Sequence, residues 1–122
     1  MYITVTNVYI SPDQNLDIDN PVKIFTAKSL IVGDLNAKNT LWGSPHNDHR
    51  GTTIEHLIDE NKFVVLNNGQ ATYTHHTGPQ SHLDLSIVCH TLGTKSTWDV
   101  FHDTFGSDHC PTVTCIYLQL RK

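Results

Sequence analysis

The chain has 122 residues, 38% of them hydrophobic, enough for one globular domain with a modest core and too apolar for a disordered segment. Its net charge of −4, with only 8 Lys and Arg, argues against a free-standing nucleic-acid binder that relies on a basic patch, although metal ions at an acidic site can supply the positive charge for a nuclease. Three cysteines with no C-x-x-C pair argue against a disulfide framework and fit a reducing compartment; no apolar run is long enough to span a membrane, and the first residues lack the basic start and cleavage site of a signal peptide.

Residues 2–10 are rich in β-branched and aromatic side chains and predict a strand that ends at Ser11-Pro12. Asn7 and Tyr9 share a parity and therefore a face. Tyr9 is either an ordinary core or rim aromatic, or a phenol at a strand end that offers a hydrogen bond to a phosphate. Residues 13–28 hold a polar loop, followed by a short helix after Asn20-Pro21, because Asn caps and Pro suits the first helical position.

Residues 29–36, S-L-I-V-G-D-L-N, are the stretch around which the chain is organised. Leu30, Ile31 and Val32 predict a short strand buried on both faces. Gly33 is expected to turn the backbone sharply, so that Asp34 and Asn36 emerge at the strand's C-terminal end, a position from which a rigid element presents groups to a ligand. A carboxylate and a carboxamide two residues apart suit a metal-bound or hydrogen-bonded water and a phosphate oxygen. The same G-D-x-N also fits an Asx turn that closes a strand.

A long loop over residues 35–50 follows, in which Trp42 either packs beneath as an anchor or stacks on a base. Thr52 and Glu55 have capping-box spacing, and Ile54, Leu57 and Ile58 follow i, i+3, i+4, so an amphipathic helix is expected over residues 52–61. A short strand over residues 63–66 is closed by a turn at Asn67-Asn68-Gly69, and residues 71–74 form another. Residues 82–89 alternate: Leu83, Leu85, Ile87 and Cys89 on one side, His82, Asp84 and Ser86 on the other. An Asp in mid-strand is disfavoured and needs a reason, either a face turned to solvent or a site. Residues 96–101 form a strand with Trp98. The loop H-D-T-F-G-S-D-H-C-P carries Asp108-His109, and residues 112–120 are the last strand. Nine histidines are many for this length, but their spacings match no common structural-zinc pattern, and most are expected at the surface.

Four pieces occur in a fixed order: Y-I-S-P at Tyr9, G-D-L-N at Asp34, S-H-L-D-L at Asp84, and G-S-D-H-C-P at Asp108-His109. Together they resemble the endonuclease/exonuclease/phosphatase superfamily of divalent-metal phosphodiesterases. The intervening N-T-L-W-G-S-P, R-G-T-T-I-E-H-L-I, V-V-L-N-N-G and W-D-V resemble one branch, the apurinic-like endonuclease domain of non-LTR (LINE-type) retrotransposons, especially those of arthropods. The resemblance covers nearly the whole chain and is weakest over residues 13–28.

The resemblance implies an α/β (α+β) fold, the C-terminal part of a four-layer α/β/β/α sandwich with a mixed, largely antiparallel sheet and an active site where strand ends converge. It implies Mg²⁺- or Mn²⁺-dependent hydrolysis of a DNA phosphodiester, leaving a 3′-hydroxyl that primes reverse transcription. Asp34 would position and deprotonate the attacking water, and Asn36 would hold the water or the scissile phosphate. Asp84 and His109 would pair, so that the imidazolium neutralises charge developing on the phosphate. Tyr9 would bind the phosphate, and Asp108 would serve the metal, directly or through water, beside Asp34. The implied partners are DNA and a downstream reverse transcriptase domain, with no membrane, and the implied location is intracellular, nuclear for a functional element.

The family's domain begins with another half, which carries an Asn motif and the Glu that is the main metal ligand. Residues 1–122 match only the C-terminal part, and neither Glu55 nor Glu60 fits the missing motif. An uncovered sheet face, weakened metal affinity and poor solubility are the expected consequences. The alternatives are an inactive retroelement remnant, another phosphodiesterase or phosphatase of the superfamily, against which W-G-S and R-G-x-x-I argue, and a histidine-built zinc module.

Overall fold

The computed structural model describes residues 2–15 and 24–119. Strands β1 (Thr4–Tyr9), β2 (Ser29–Asp34), β3 (Phe63–Val65) and β6 (Asp84–Cys89) form a four-stranded sheet in the order β1-β2-β6-β3. β1 runs parallel to β2, and the β2–β6 and β6–β3 pairs are antiparallel, so the sheet is mixed and largely antiparallel. Two hairpins complete the strands: β4 (Tyr73–Thr74) with β5 (Gln80–Ser81), and β7 (Ser96–Val100) with β8 (Thr112–Ile116). The α-helices among the described residues are α1 (His49–Glu60) and the single turn α2 (His90–Gly93), and Thr40–Trp42 forms a 3₁₀ turn. The helix expected after Asn20-Pro21 begins among residues outside those described.

Period-2 alternation decides what each face of the sheet does. Val8, Ile31 and Ile87 face α1, where Ile54 and Leu57 meet them in a common seam. Ile31, Ile54, Ile58 and Ile87 are almost fully buried there. The other parity lies towards the β7–β8 hairpin: Ser86 on β6 exchanges a 2.8 Å hydroxyl bond with Thr114 on β8, and Ile116 packs against the same core. Ser86 is thus fully buried, and that face is no solvent face at β6. Along β1 it opens, with Val5 and Tyr9 62% and 69% exposed.

Two local expectations change. Gly33 makes no turn; it lies inside β2, in register with Val8. Its φ is +146°, and a Cβ would collide with the Val8 carbonyl, so the residue answers a close backbone approach rather than a chain reversal. The helix begins three residues before Thr52, because Asp48 caps it by accepting the Gly51 amide at 2.7 Å. Thr52 and Glu55 lie within the helix. Glu55 accepts instead from the side-chain amide of buried Asn39 at 2.8 Å, which ties α1 to the preceding loop. Trp42 is fully buried and donates to the Ala37 carbonyl at 3.1 Å, so it is the anchor beneath that loop.

Candidate functional site

Sheet register assembles the site. Tyr9 on β1 pairs with Asp34 on β2, and Asp34 pairs with Asp84 on β6. Cross-strand partners point to the same face, so a phenol and two carboxylates form one row at the end of three adjacent strands. This is the face opposite α1. Asp84, expected in mid-strand, is instead the first residue of β6, and its carboxylate faces Asp34 and His109 rather than open solvent.

His109 reaches the row from the loop between β7 and β8. Its Nδ1 lies 2.8 Å from Asp84 Oδ2, and its Nε2 3.8 Å from Asp34 Oδ2. Asp34, Asp84 and His109 each offer a ligand atom within 4.8 Å of the others. The Asp34 and Asp84 side chains are 15% and 21% exposed and that of His109 is 37% exposed, so the cluster opens to solvent on the imidazole side.

Several contacts fix the imidazole and its partner. Tyr73 forms an antiparallel bridge with His109, and their rings lie 4.7 Å apart between centroids. The Ser107 hydroxyl accepts the His109 amide at 3.2 Å. Thr72, fully buried, accepts the amides of both Leu83 and Asp84 through Oγ1, at 3.2 and 3.1 Å. Asn67 mimics a strand where β3 has ended: it donates to the Asp84 carbonyl and accepts the Ser86 amide, both at 2.8 Å. Thr72 and Asn67 escape a sequence reading. The only signal is an Asn directly after an apolar run and a Thr before an aromatic one, both of which fit ordinary turns and strands.

Asp34 Oδ1 accepts the Asn36 amide at 3.0 Å, so the Asx turn is real and coexists with the site. Asn36 has φ +47° and donates its side-chain amide to the Ile10 carbonyl at 2.7 Å, which laces the end of β2 to that of β1. Burial raises the Asp34 carboxyl above its ordinary range. The Asn36 amide pulls it back, the Asp84 charge adds to the rise, and His109 and Arg50 oppose it.

Asp108 is not brought into the cluster. Its side chain is exposed, and it is its backbone carbonyl that accepts, from the Thr74 amide at 3.0 Å. Asp84, expected only to orient the imidazole, takes the place beside Asp34. Of the histidines, His46, His49, His56, His76, His90 and His102 are exposed. No helix of the described residues is long and apolar enough to cross a membrane.

The carboxylates suit a hard divalent cation in donor chemistry, and the imidazole suits charge stabilisation next to it. The arrangement can orient a water, hold a metal and neutralise an oxyanion.

Comparisons with known proteins bear on which chemistry this is. The model of the endonuclease-reverse transcriptase family matches residues 3–113. The endonuclease domain of TRAS1, a telomere-specific non-LTR retrotransposon, is similar with a TM-score of 0.74 and 26% sequence identity, over 87% of this chain and 51% of that one. The chain thus spans about half the length of that domain. No curated protein matches it.

Proposed function

Since the chain belongs to the endonuclease-reverse transcriptase family, we propose that it is part of a non-LTR retrotransposon DNA endonuclease that hydrolyses a target phosphodiester and leaves a 3′-hydroxyl to prime reverse transcription. The observation that carries this is the convergence of Asp34, Asp84 and His109 at one end of the sheet. Phosphoryl transfer needs positioning and charge neutralisation, and these groups supply both.

Asp84 holds the imidazole with its proton on Nδ1, which leaves Nε2 to face the scissile phosphate. Protonated, His109 neutralises charge developing on the phosphate oxygens. Asp34 orients the attacking water and takes its proton, a role that a carboxyl raised by burial suits. Asn36 commits its Nδ2 to Ile10, so its Oδ1 is the atom left to accept from the water. The Tyr9 phenol, exposed at the end of the row, donates to a phosphate oxygen. Asp34 and Asp84 would hold Mg²⁺ or Mn²⁺, with Asp108 contributing through water; the bound ion supplies Lewis-acid polarisation of the phosphate. A hard cation takes about six oxygen ligands, and the other half of the domain supplies carboxylate to this set. The partners are target DNA and a reverse transcriptase domain of the same element, and the place of work is the nucleus.

Plasmid nicking tests this reading. The full domain carrying this chain is expected to convert supercoiled DNA to open circles in Mg²⁺, and Asp34→Ala to abolish the conversion. The 122-residue chain alone is expected not to nick. A full domain that leaves plasmid intact in both Mg²⁺ and Mn²⁺ would sink the proposal, and robust nicking by the chain alone would remove the need for the other half.

A further inference from the structure

Arg50, the second residue of α1, makes an unusual set of bonds. Its Nη1 donates to the carbonyls of Leu35 and Asn36, at 3.2 and 3.3 Å. Its Nη2 donates to the carbonyls of Pro12, at 3.4 Å, and Gln14. One planar guanidinium thus joins the loop after β1 to the loop after β2. Among the described residues, no carboxylate lies within ion-pair distance of it.

The base of this side chain is held still. Asp48 caps the helix at Gly51 and also accepts the Lys38 amide at 3.1 Å. A Cβ on Gly51 would meet the Lys38 carbonyl, so the helix start rests directly on the backbone of the β2 loop. From that footing the guanidinium grips the Asn36 carbonyl, while the Asn36 amide donates to Asp34 and its side chain to Ile10. A residue at φ +47° holds a conformation that L side chains rarely adopt, and it needs neighbours to over-determine it.

We infer that Arg50 is the positioning residue of the site: by bridging four backbone carbonyls it fixes Asn36 and, through the Asn36 amide, the Asp34 carboxylate. This rests on the nuclease reading for its catalytic consequence. Arg50 also lines a cleft of about 580 Å³ with Pro12, Gln14, Asn36, Lys38 and Leu83, where a cation would ordinarily be assigned to a DNA phosphate. The hydrogen bonds decide against that role. Both terminal nitrogens already donate to carbonyls, which leaves only the Nε–H, so a phosphate could take a bidentate grip only by breaking the brace. Lysine cannot substitute, because three donors on one nitrogen do not span two loops as a rigid fork does.

The test compares wild type, Arg50→Lys and Arg50→Ala in the full domain under single-turnover conditions, with melting temperature alongside. Both variants are expected to lose about 10²-fold in the cleavage rate constant, with the half-saturating DNA concentration unchanged, as for a reacting group misplaced by about 1 Å. Added guanidinium ion is expected to restore part of the Arg50→Ala rate and none of the Arg50→Lys rate. An unchanged rate constant, or weakened DNA binding at an unchanged rate constant, contradicts the inference. NMR separates this from the nuclease reading: the Asn36 side-chain amide resonance is expected to move in Arg50→Lys. If it moves while no protein cleaves DNA, the nuclease reading fails and the brace stands. If it stays in place, the brace fails, whatever the cleavage. Should the variants not fold, the wild-type Arg50 resonances decide: separate Nη signals support the brace, and a single averaged signal refutes it.

Discussion

The two faces of the four-stranded sheet divide the work. Against α1 lie Val8, Ile31 and Ile87, closed and apolar. On the opposite face the same strands present Tyr9, Asp34, Asp84 and Ser86, joined by His109. Neighbouring residues of β6 thus belong to different surroundings: Leu85 and Ile87 pack in the core, while Asp84 bonds His109 in the candidate site and Ser86 docks the β7–β8 hairpin. The division follows position as well as parity: Val88 shares the Asp84 face but is fully buried in the core, so the candidate site is confined to the strand-end positions of that face.

That separation is breakable by substitution. The largest effect is expected on the polar face: His109→Ala in the full domain should lower nicking by about 10³-fold, measured as plasmid conversion, with little change in the urea midpoint. On the apolar face, Ile87→Ala should cost about 2–5 kcal/mol of stability in urea unfolding, because it opens a cavity between β6 and α1. A smaller effect should cross both faces. Thr72→Val removes the acceptor shared by the Leu83 and Asp84 amides, and should cost about 1–3 kcal/mol in urea while also slowing nicking.

The smallest effect is expected in the pH dependence of stability. Burial raises the Asp34 carboxyl, so the folded chain binds that proton more tightly than the unfolded chain does. The stability this contributes is present below the ordinary carboxyl value of 3.8 and is lost as pH rises through the higher folded value. At pH 7 the ionised group therefore destabilises the fold. Asp34→Asn should raise the melting temperature at pH 7, and the difference should shrink as pH falls towards the ordinary value. A variant that melts lower at pH 7 would contradict the burial argument.

Much of this division is legible in the chain. The alternation from Leu83 to Cys89 and the run Leu30-Ile31-Val32 depend on neighbours one or two residues away; β2 contains the expected run, and β6 forms from Asp84, two residues later than the expected start at His82. What escaped depends on distant partners. Gly33 answers the Val8 backbone and Gly51 the Lys38 carbonyl; a local reading makes the first a turn and lets the second hide a helix start. Asp108 stands beside His109 in the motif, but it lies in a bend with its side chain exposed, and only the imidazole reaches the row. Thr72, Asn67 and Arg50 act through backbone groups far along the chain, which no short spacing records.

The most direct test of the division measures nicking and melting temperature on one preparation of the full domain with Asp34→Asn, which keeps the acceptor for the Asn36 amide, beside wild type. The expected result is no open-circular plasmid in Mg²⁺ together with a melting temperature no lower than wild type at pH 7. Nicking retained at the wild-type rate would contradict the placement of chemistry on this face, and a collapse of melting temperature would contradict its separation from the fold.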